Sequence, residues 1–396
     1  MTDGITASEL AERAGVEPEL IDRLVGLGIV SPDEGAFRPA DVYRVRLLQA
    51  CERVGLPAEA VARAVAEGRL SLSFMDLPHY RWAALGRTTY RELAAEVALP
   101  LDLVLDVLRA LGYARPGPED RAREDDPGVF RLIGLSATWL DHDAIVRTSR
   151  VFTDAIRRIA EAEGALFDTY IVGGLQRQGL GLGEAVDAAN RFGAEVTPLQ
   201  EQLLLTLYRR QQERRWTEYT VEGIERVLEE MGLSERQERP PAMGFVDLAG
   251  YTRLTEEQGD EAGVRLATEL ARMVDAVVGG RGGQPVKWLG DGVMMYFRDP
   301  AEAVRATLEL VRRAPGIGLP AHAGVAAGPV VIQDGDYFGR TVNLAARIAE
   351  RAAPGQTLVT AEISELADGI GFRAVGSLEL KGFARPVELF EALPTG

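Results

Sequence analysis

The chain is poor in the residues that build covalent crosslinks or soft-metal sites. Cys51 is its single cysteine in 396 residues. An intramolecular disulfide is therefore excluded, and so is a zinc site made of thiolates. Histidine is scarce too. His79, His142 and His322 are scattered along the chain, an arrangement that argues against a histidine-rich metal site. No run of about 18 or more apolar residues occurs, so no segment reads as a membrane span. The first ten residues carry Asp3 and Glu9 and lack the basic-then-apolar order of a signal peptide, which predicts a cytoplasmic protein. Positive charge is in deficit: 44 Lys and Arg stand against 60 Asp and Glu, a formal net charge of −16. Such a chain is repelled by phosphate backbones, which counts against nucleic-acid binding.

What is present is ordinary in bulk and informative in order. The length predicts two or three domains. Residues 6–28 read as two short helices around a turn at Gly15, with Leu20, Ile21, Leu24 and Val25 on one face and Gly28 as the stop. A second pair is expected at about 40–54 and 58–67, separated by Gly55-Leu56-Pro57. A weak repeat follows: Thr6-x-x-Glu9-Leu10-Ala11 returns as Thr89-x-x-Glu92-Leu93-Ala94, and Leu27-Gly28 as Leu111-Gly112. Residues 115–128 have the charged, Pro- and Gly-rich composition of a linker. A helical block is expected from about 136 to 232, broken at Gly173-Gly174 and across Gly179–Gly183, with one or two long helices over Pro198–Met231. After Pro240-Pro241 short β-like runs alternate with helical stretches, an α+β pattern with a mixed or antiparallel sheet.

Several polar residues in that last region stand out. Asp247 ends an apolar run; a turn or a helix cap accounts for it, and so does a carboxylate held at a strand end for a metal. Asp291 lies in Gly290-Asp291-Gly292 between two β-like runs, the signature of a hairpin. A hairpin tip can also bring its carboxylate to a neighbouring strand, and two such carboxylates suit Mg²⁺ bound together with substrate phosphates. Lys287 is a cation in an apolar strand, either outward-facing or functional. Asn343 and Arg347 are four apart and share a helix face, as a solvated surface or as a grip on a sugar and a phosphate. Lys381 precedes a glycine, as surface-turn lysines do.

Together and in order, FVDLAGYT, VKWLGDGVMMYF, DYFGRTVNLAARI and ELKGFARPVELFE resemble the signatures of the class III nucleotidyl cyclase catalytic domain, over nearly all of residues 241–396. The resemblance implies a ferredoxin-like α+β domain that makes cyclic AMP from ATP. It implies that Asp247 and Asp291 bind two Mg²⁺ (or Mn²⁺) ions per site and that Lys287 and Asp336 select the base. Asn343 would orient the ribose, Arg347 would stabilise phosphate charge, and Lys381 would contact the terminal phosphates. Such domains work as dimers with sites shared across the interface, and this chain carries the full set, which implies a symmetric homodimer. Trp288 is bulkier than the resemblance suggests, and Tyr251 stands where Phe is frequent.

Residues 5–67 resemble a MerR-type winged helix-turn-helix, through ITASELAERAGV and GAFRPADVYRVRLL. The contacts to DNA do not follow. The second helix offers only Arg23, and residues 1–70 hold 12 acidic and 8 basic residues, a net of −4. A regulatory role is expected instead. The expected organisation is multi-domain, with an all-α N-terminal half. Residues 1–70 form the winged unit, 71–128 a second such unit and a linker, 129–235 a helical regulatory or connecting region, and 236–396 the catalytic domain. An adenylyl cyclase regulated by that half, with room for a regulatory ligand, is the leading expectation. The alternatives are a nucleotide-sensing transcriptional regulator with a degenerate cyclase domain, and a guanylyl cyclase.

Overall fold

The computed structural model describes residues 4–76, 84–233 and 240–394; His79 and the expected boundary at 235–236 lie outside the described residues. The chain divides into two compact units, Met1–Val221 and Glu222–Gly396.

The first unit is built from helices α1 (Ala7–Ala14), α2 (Pro18–Gly26), α3 (Asp41–Arg53) and α4 (Ala58–Ala66), then strand β1 (Leu85–Thr89), α5 (Tyr90–Glu96), α6 (Leu101–Ala110), β2 (Arg121–Arg123), α7 (Asp126–Ser136), α8 (His142–Leu166), α9 (Gly173–Arg177) and α10 (Leu182–Glu230). The weak sequence repeat has a physical basis. Thr6 and Thr89 each cap a helix, and Glu9 and Glu92 reach back to the cap nitrogen, so two reciprocal capping boxes start α1 and α5. Gly15 ends α1 at φ +70°, in the left-handed region that glycine enters without strain. Leu10, Ile21, Leu24, Val45 and Leu48 close one core; Leu93, Val104, Leu108 and Phe130 close a second.

Three expectations need correction here. The half is not all-α, because β1 and β2 pair antiparallel. Residues 115–128 are not a free linker: Asp126 is buried and accepts hydrogen bonds from Tyr90 Oη (2.9 Å), Tyr113 Oη (2.9 Å) and Arg123 N (2.8 Å). The charges that suggested solvent are partly spent on each other, as in Arg91–Glu119 and Arg123–Asp125. Nor do Gly173 and Gly174 break the helix. A π-helical turn (Phe167–Val172) leads straight into α9, and α10 then runs 49 residues through Pro198. The beginning of α10 is anchored: Ser71 and Ser73 donate to Asp187 Oδ1, and Asn190 Nδ2 donates to Ser73 Oγ.

The second unit contains β3 (Ala242–Leu248), α11 (Tyr251–Gln258), α12 (Asp260–Val278), β4 (Gly283–Trp288), β5 (Gly292–Phe297), α13 (Pro300–Arg313), β6 (Ala321–Ala327), β7 (Val331–Gln333), β8 (Asp336–Phe338), α14 (Arg340–Ala349), β9 (Thr357–Thr360), α15 (Ala361–Leu366), β10 (Gly371–Leu378) and β11 (Val387–Leu393). Seven strands form one sheet in the order β10-β11-β9-β6-β3-β5-β4. The β6–β9 pair is parallel and the others antiparallel, so the sheet is mixed. Its two faces follow from the period of two. Ala242, Val246 and Leu248 of β3 join Leu270, Val274, Val304 and Leu310 of α12 and α13 in one core. Met243 of β3 joins Met294 with Val342, Ala345 and Ile348 of α14 on the other side, where Phe245 also packs. By that alternation Asp247 belongs to the α14 face.

Candidate active site

Strand β3 delivers Asp247 near its end, where it pairs with Gly292 on β5 and His322 on β6. The glycine is required by the carboxylate. A Cβ at position 292 would stand 2.6 Å from Asp247 Oδ1. Asp291 occupies the turn between β4 and β5, as its Gly-Asp-Gly setting predicted, and its carbonyl accepts Leu248 N at 3.1 Å. The turn is thereby stitched to the strand that carries Asp247. Gly290 sits at φ +87° to make the reversal. Partial burial pushes the carboxyl of Asp247 above its ordinary value; the charge of Asp291 adds to this, and His322 opposes it. His322 Nδ1 donates to Ala349 O at 2.8 Å, and its Nε2 faces Asp247 Oδ2 at 3.8 Å.

Lys287 and Asp336 are 49 positions apart, yet Lys287 Nζ lies 2.6 Å from Asp336 Oδ2. The ammonium holds the Asp336 carboxyl below its ordinary value, helped by Tyr337 N, which donates to Oδ1 at 2.8 Å. Tyr337 also sits against Tyr296, with ring centroids 5.1 Å apart.

Asn343 and Arg347 lie on α14. They line a concavity of about 850 Å³ with Gly339, Arg340, Lys381, Phe383 and Arg385. Arg347 is bonded to Glu350 in the next turn and holds that carboxyl down. α14 can approach the sheet this closely because β6 has Gly324 beneath it. A Cβ there would meet Ala349 N at 2.2 Å and Ala345 O at 2.5 Å.

The predicted residues thus fall into three groups within one unit: the Asp247–Asp291 pair, the Lys287–Asp336 pair, and the cationic concavity of Asn343, Arg347 and Lys381. The aspartates do not line that concavity. Sequence reading missed His322, Gly292, Arg340 and Arg385. His322 becomes visible only when β6 pairs with β3, whereas Arg340 could have been found from its i, i+3, i+7 spacing with Asn343 and Arg347.

Residues 235–391 match the Adenylate and Guanylate cyclase catalytic domain family. An adenylate cyclase of Streptomyces coelicolor is 30% identical over 290 residues, 70% of this chain and 71% of that one. The chain belongs to the class III adenylate/guanylate cyclase family, with its catalytic domain at the C-terminal end. An uncharacterized protein of Mycobacterium tuberculosis is 32% identical over 379 residues, 93% of both chains. A pH-sensitive adenylate cyclase from the same species is 28% identical over 318 residues, 76% of both. Among the described residues no helix is long and apolar enough to cross a membrane.

Proposed function

We propose that this chain is an adenylyl cyclase that converts ATP to 3′,5′-cyclic AMP and pyrophosphate in a homodimer, under control of its helical N-terminal half. The single observation that carries the choice of ATP is the Lys287–Asp336 pair, with Nζ and Oδ2 2.6 Å apart. Adenine offers an acceptor at N1 and a donor at N6; guanine offers the reverse. An ammonium beside a carboxylate complements adenine.

Asp247 and Asp291 fit a divalent cation. Burial first and then the charge of Asp291 push the Asp247 carboxyl up, and a bound cation relieves both effects. Among the described residues no group of three His, Cys, Asp or Glu is arranged to hold a metal, so the remaining ligands would be phosphate oxygens and water, as Mg²⁺ prefers. When bound, two Mg²⁺ (or Mn²⁺) ions would supply positive charge to the phosphates and acidify the ribose 3′-hydroxyl.

The protein groups do the rest. Lys287 and Asp336 hold the base. Asn343 orients the ribose so that O3′ faces the α-phosphorus in line with the bond to the leaving pyrophosphate. Arg347 places fixed positive charge where the α-phosphate gains negative charge, and Lys381 takes the terminal phosphates. That the aspartates stand apart from the cationic concavity supports a site completed by a second copy. The test is turnover by the full chain with Mg²⁺ or Mn²⁺ and either ATP or GTP. Cyclic AMP and pyrophosphate from ATP, with GTP turned over at least about tenfold more slowly, is the expected result. Equal or faster use of GTP would contradict the base assignment, and no product from either would contradict the function.

A further inference from the structure

The concavity on α14 holds more positive charge than the reading above uses. Four cations line it: Arg340, Arg347, Lys381 and Arg385, and no carboxylate does. Arg347 is spent in part on Glu350. Arg340, Lys381 and Arg385 have no ion pair among the described residues, in a chain whose net charge is −16. Four cations share the one carboxylate Glu350, and an anion taken up in the concavity would relieve their mutual repulsion.

Arg340 is the best placed of the unassigned pair. It opens α14, three residues before Asn343 and seven before Arg347, which puts all three on one helix face. Its guanidinium carbon stands 5.4 Å from the centroid of the Phe383 ring. That cation–π contact restrains the guanidinium beside the concavity, and its fork of N–H donors suits a phosphate. Phe383 itself lines the concavity beside Lys381.

We infer that Arg340, held by Phe383, is a further polyphosphate-binding residue that grips the β- and γ-phosphates of the nucleotide and the pyrophosphate that leaves. The inference rests on the cyclase reading and deepens it. Arg340 adds to Lys381 rather than to the reacting centre, so it acts on binding of the tail and on product release.

The experiment compares the full-length protein with Arg340→Ala, Arg340→Lys and Phe383→Leu, each checked for native circular dichroism. Loss of a charge-assisted contact to phosphate weakens binding about tenfold or more. Arg340→Ala should raise both KM for ATP and the inhibition constant of pyrophosphate by about that factor. Arg340→Lys should recover part of the loss, and Phe383→Leu should show a smaller loss of the same kind. KM and pyrophosphate inhibition within about twofold of the parent in folded Arg340→Ala would overturn the inference and leave the cyclase reading intact. Should the parent make no cyclic nucleotide, that reading falls alone. Calorimetry with inorganic tripolyphosphate then decides the inference: about tenfold weaker binding in Arg340→Ala upholds it, and equal binding ends it.

Discussion

Gly292 and Asp247 illustrate how single atoms set the candidate site. The carboxylate lies against the bare Cα of residue 292, where a methyl group would be 2.6 Å from Oδ1. Asp247 is therefore aimed by the absence of a side chain on its neighbour. On the proposed metal assignment, Asp247→Ala and Asp291→Ala each remove a ligand that touches little of the core, so each should lower cyclic AMP formation at least about a hundredfold. Thermal unfolding should stay within a few degrees of the parent. Substantial Mg²⁺-dependent turnover in Asp291→Ala would remove the metal assignment. Both aspartates were legible in the sequence because each stands in a punctuated motif, at the end of an apolar run or between two glycines. His322 was not, since a histidine in an apolar strand says nothing until the register sets it opposite Asp247. The Lys287–Asp336 contact was legible only through the family resemblance, because nothing local links residues 49 apart.

Elements carry these residues, and their packing can be tested apart from the chemistry. Helix α14 rests on Gly324 of β6 with no room for a methyl group. Gly324→Ala must lift the helix that presents Asn343 and Arg347. A displacement of about 1 Å can cost roughly a hundredfold in rate, while overpacking costs about 1–3 kcal/mol of stability. Turnover is therefore expected to fall far more than the melting temperature; unchanged turnover would show that α14 does not position the reacting groups. Helix α2 supports a different expectation. Arg23, the one basic residue it offers, is engaged by Glu52 at 2.9 Å and Glu59 at 2.7 Å. A DNA-reading helix keeps its cations free for phosphates. The full chain should show no tight, salt-sensitive binding to duplex DNA, and a specific duplex bound in the nanomolar range at physiological salt would refute this. The alternation of strands and helices after residue 240 was legible, since apolar periods of 2 and 3.6 alternate there. The long helix over Pro198–Met231 was legible too, though not that it starts at Leu182. The break expected across Gly179–Gly183 is present, since α9 ends at Arg177 and α10 starts at Leu182; what the sequence did not show is that Gly183 serves contact, a Cβ there standing 2.2 Å from Gly68 O.

At the scale of the whole molecule, α10 is the feature that belongs to both units. It starts under the Ser71–Ser73–Asp187 bonds and ends past the division at residue 221, where Glu222 pairs with Arg298 at 2.6 Å. The proposed control by the N-terminal half would have to run through this helix, since interfaces respond to small shifts in discrete steps. Inserting Gly-Gly beside Gly223 in the full chain should uncouple the units and raise turnover several-fold by releasing a restraining N-terminal half. Identical rates with and without the insertion, under every pH and salt condition tried, would mean that α10 transmits nothing. The most direct test of the central claim uses two inactive proteins. Full-length Asp247→Ala and Arg347→Ala are mixed in equal amounts, subunit exchange is confirmed by mass spectrometry, and cyclic AMP is measured from ATP. With sites shared between two copies, half of the dimers are mixed and each has one intact site, so activity should return to about a quarter of the parent's. No recovery in the exchanged mixture would contradict the account.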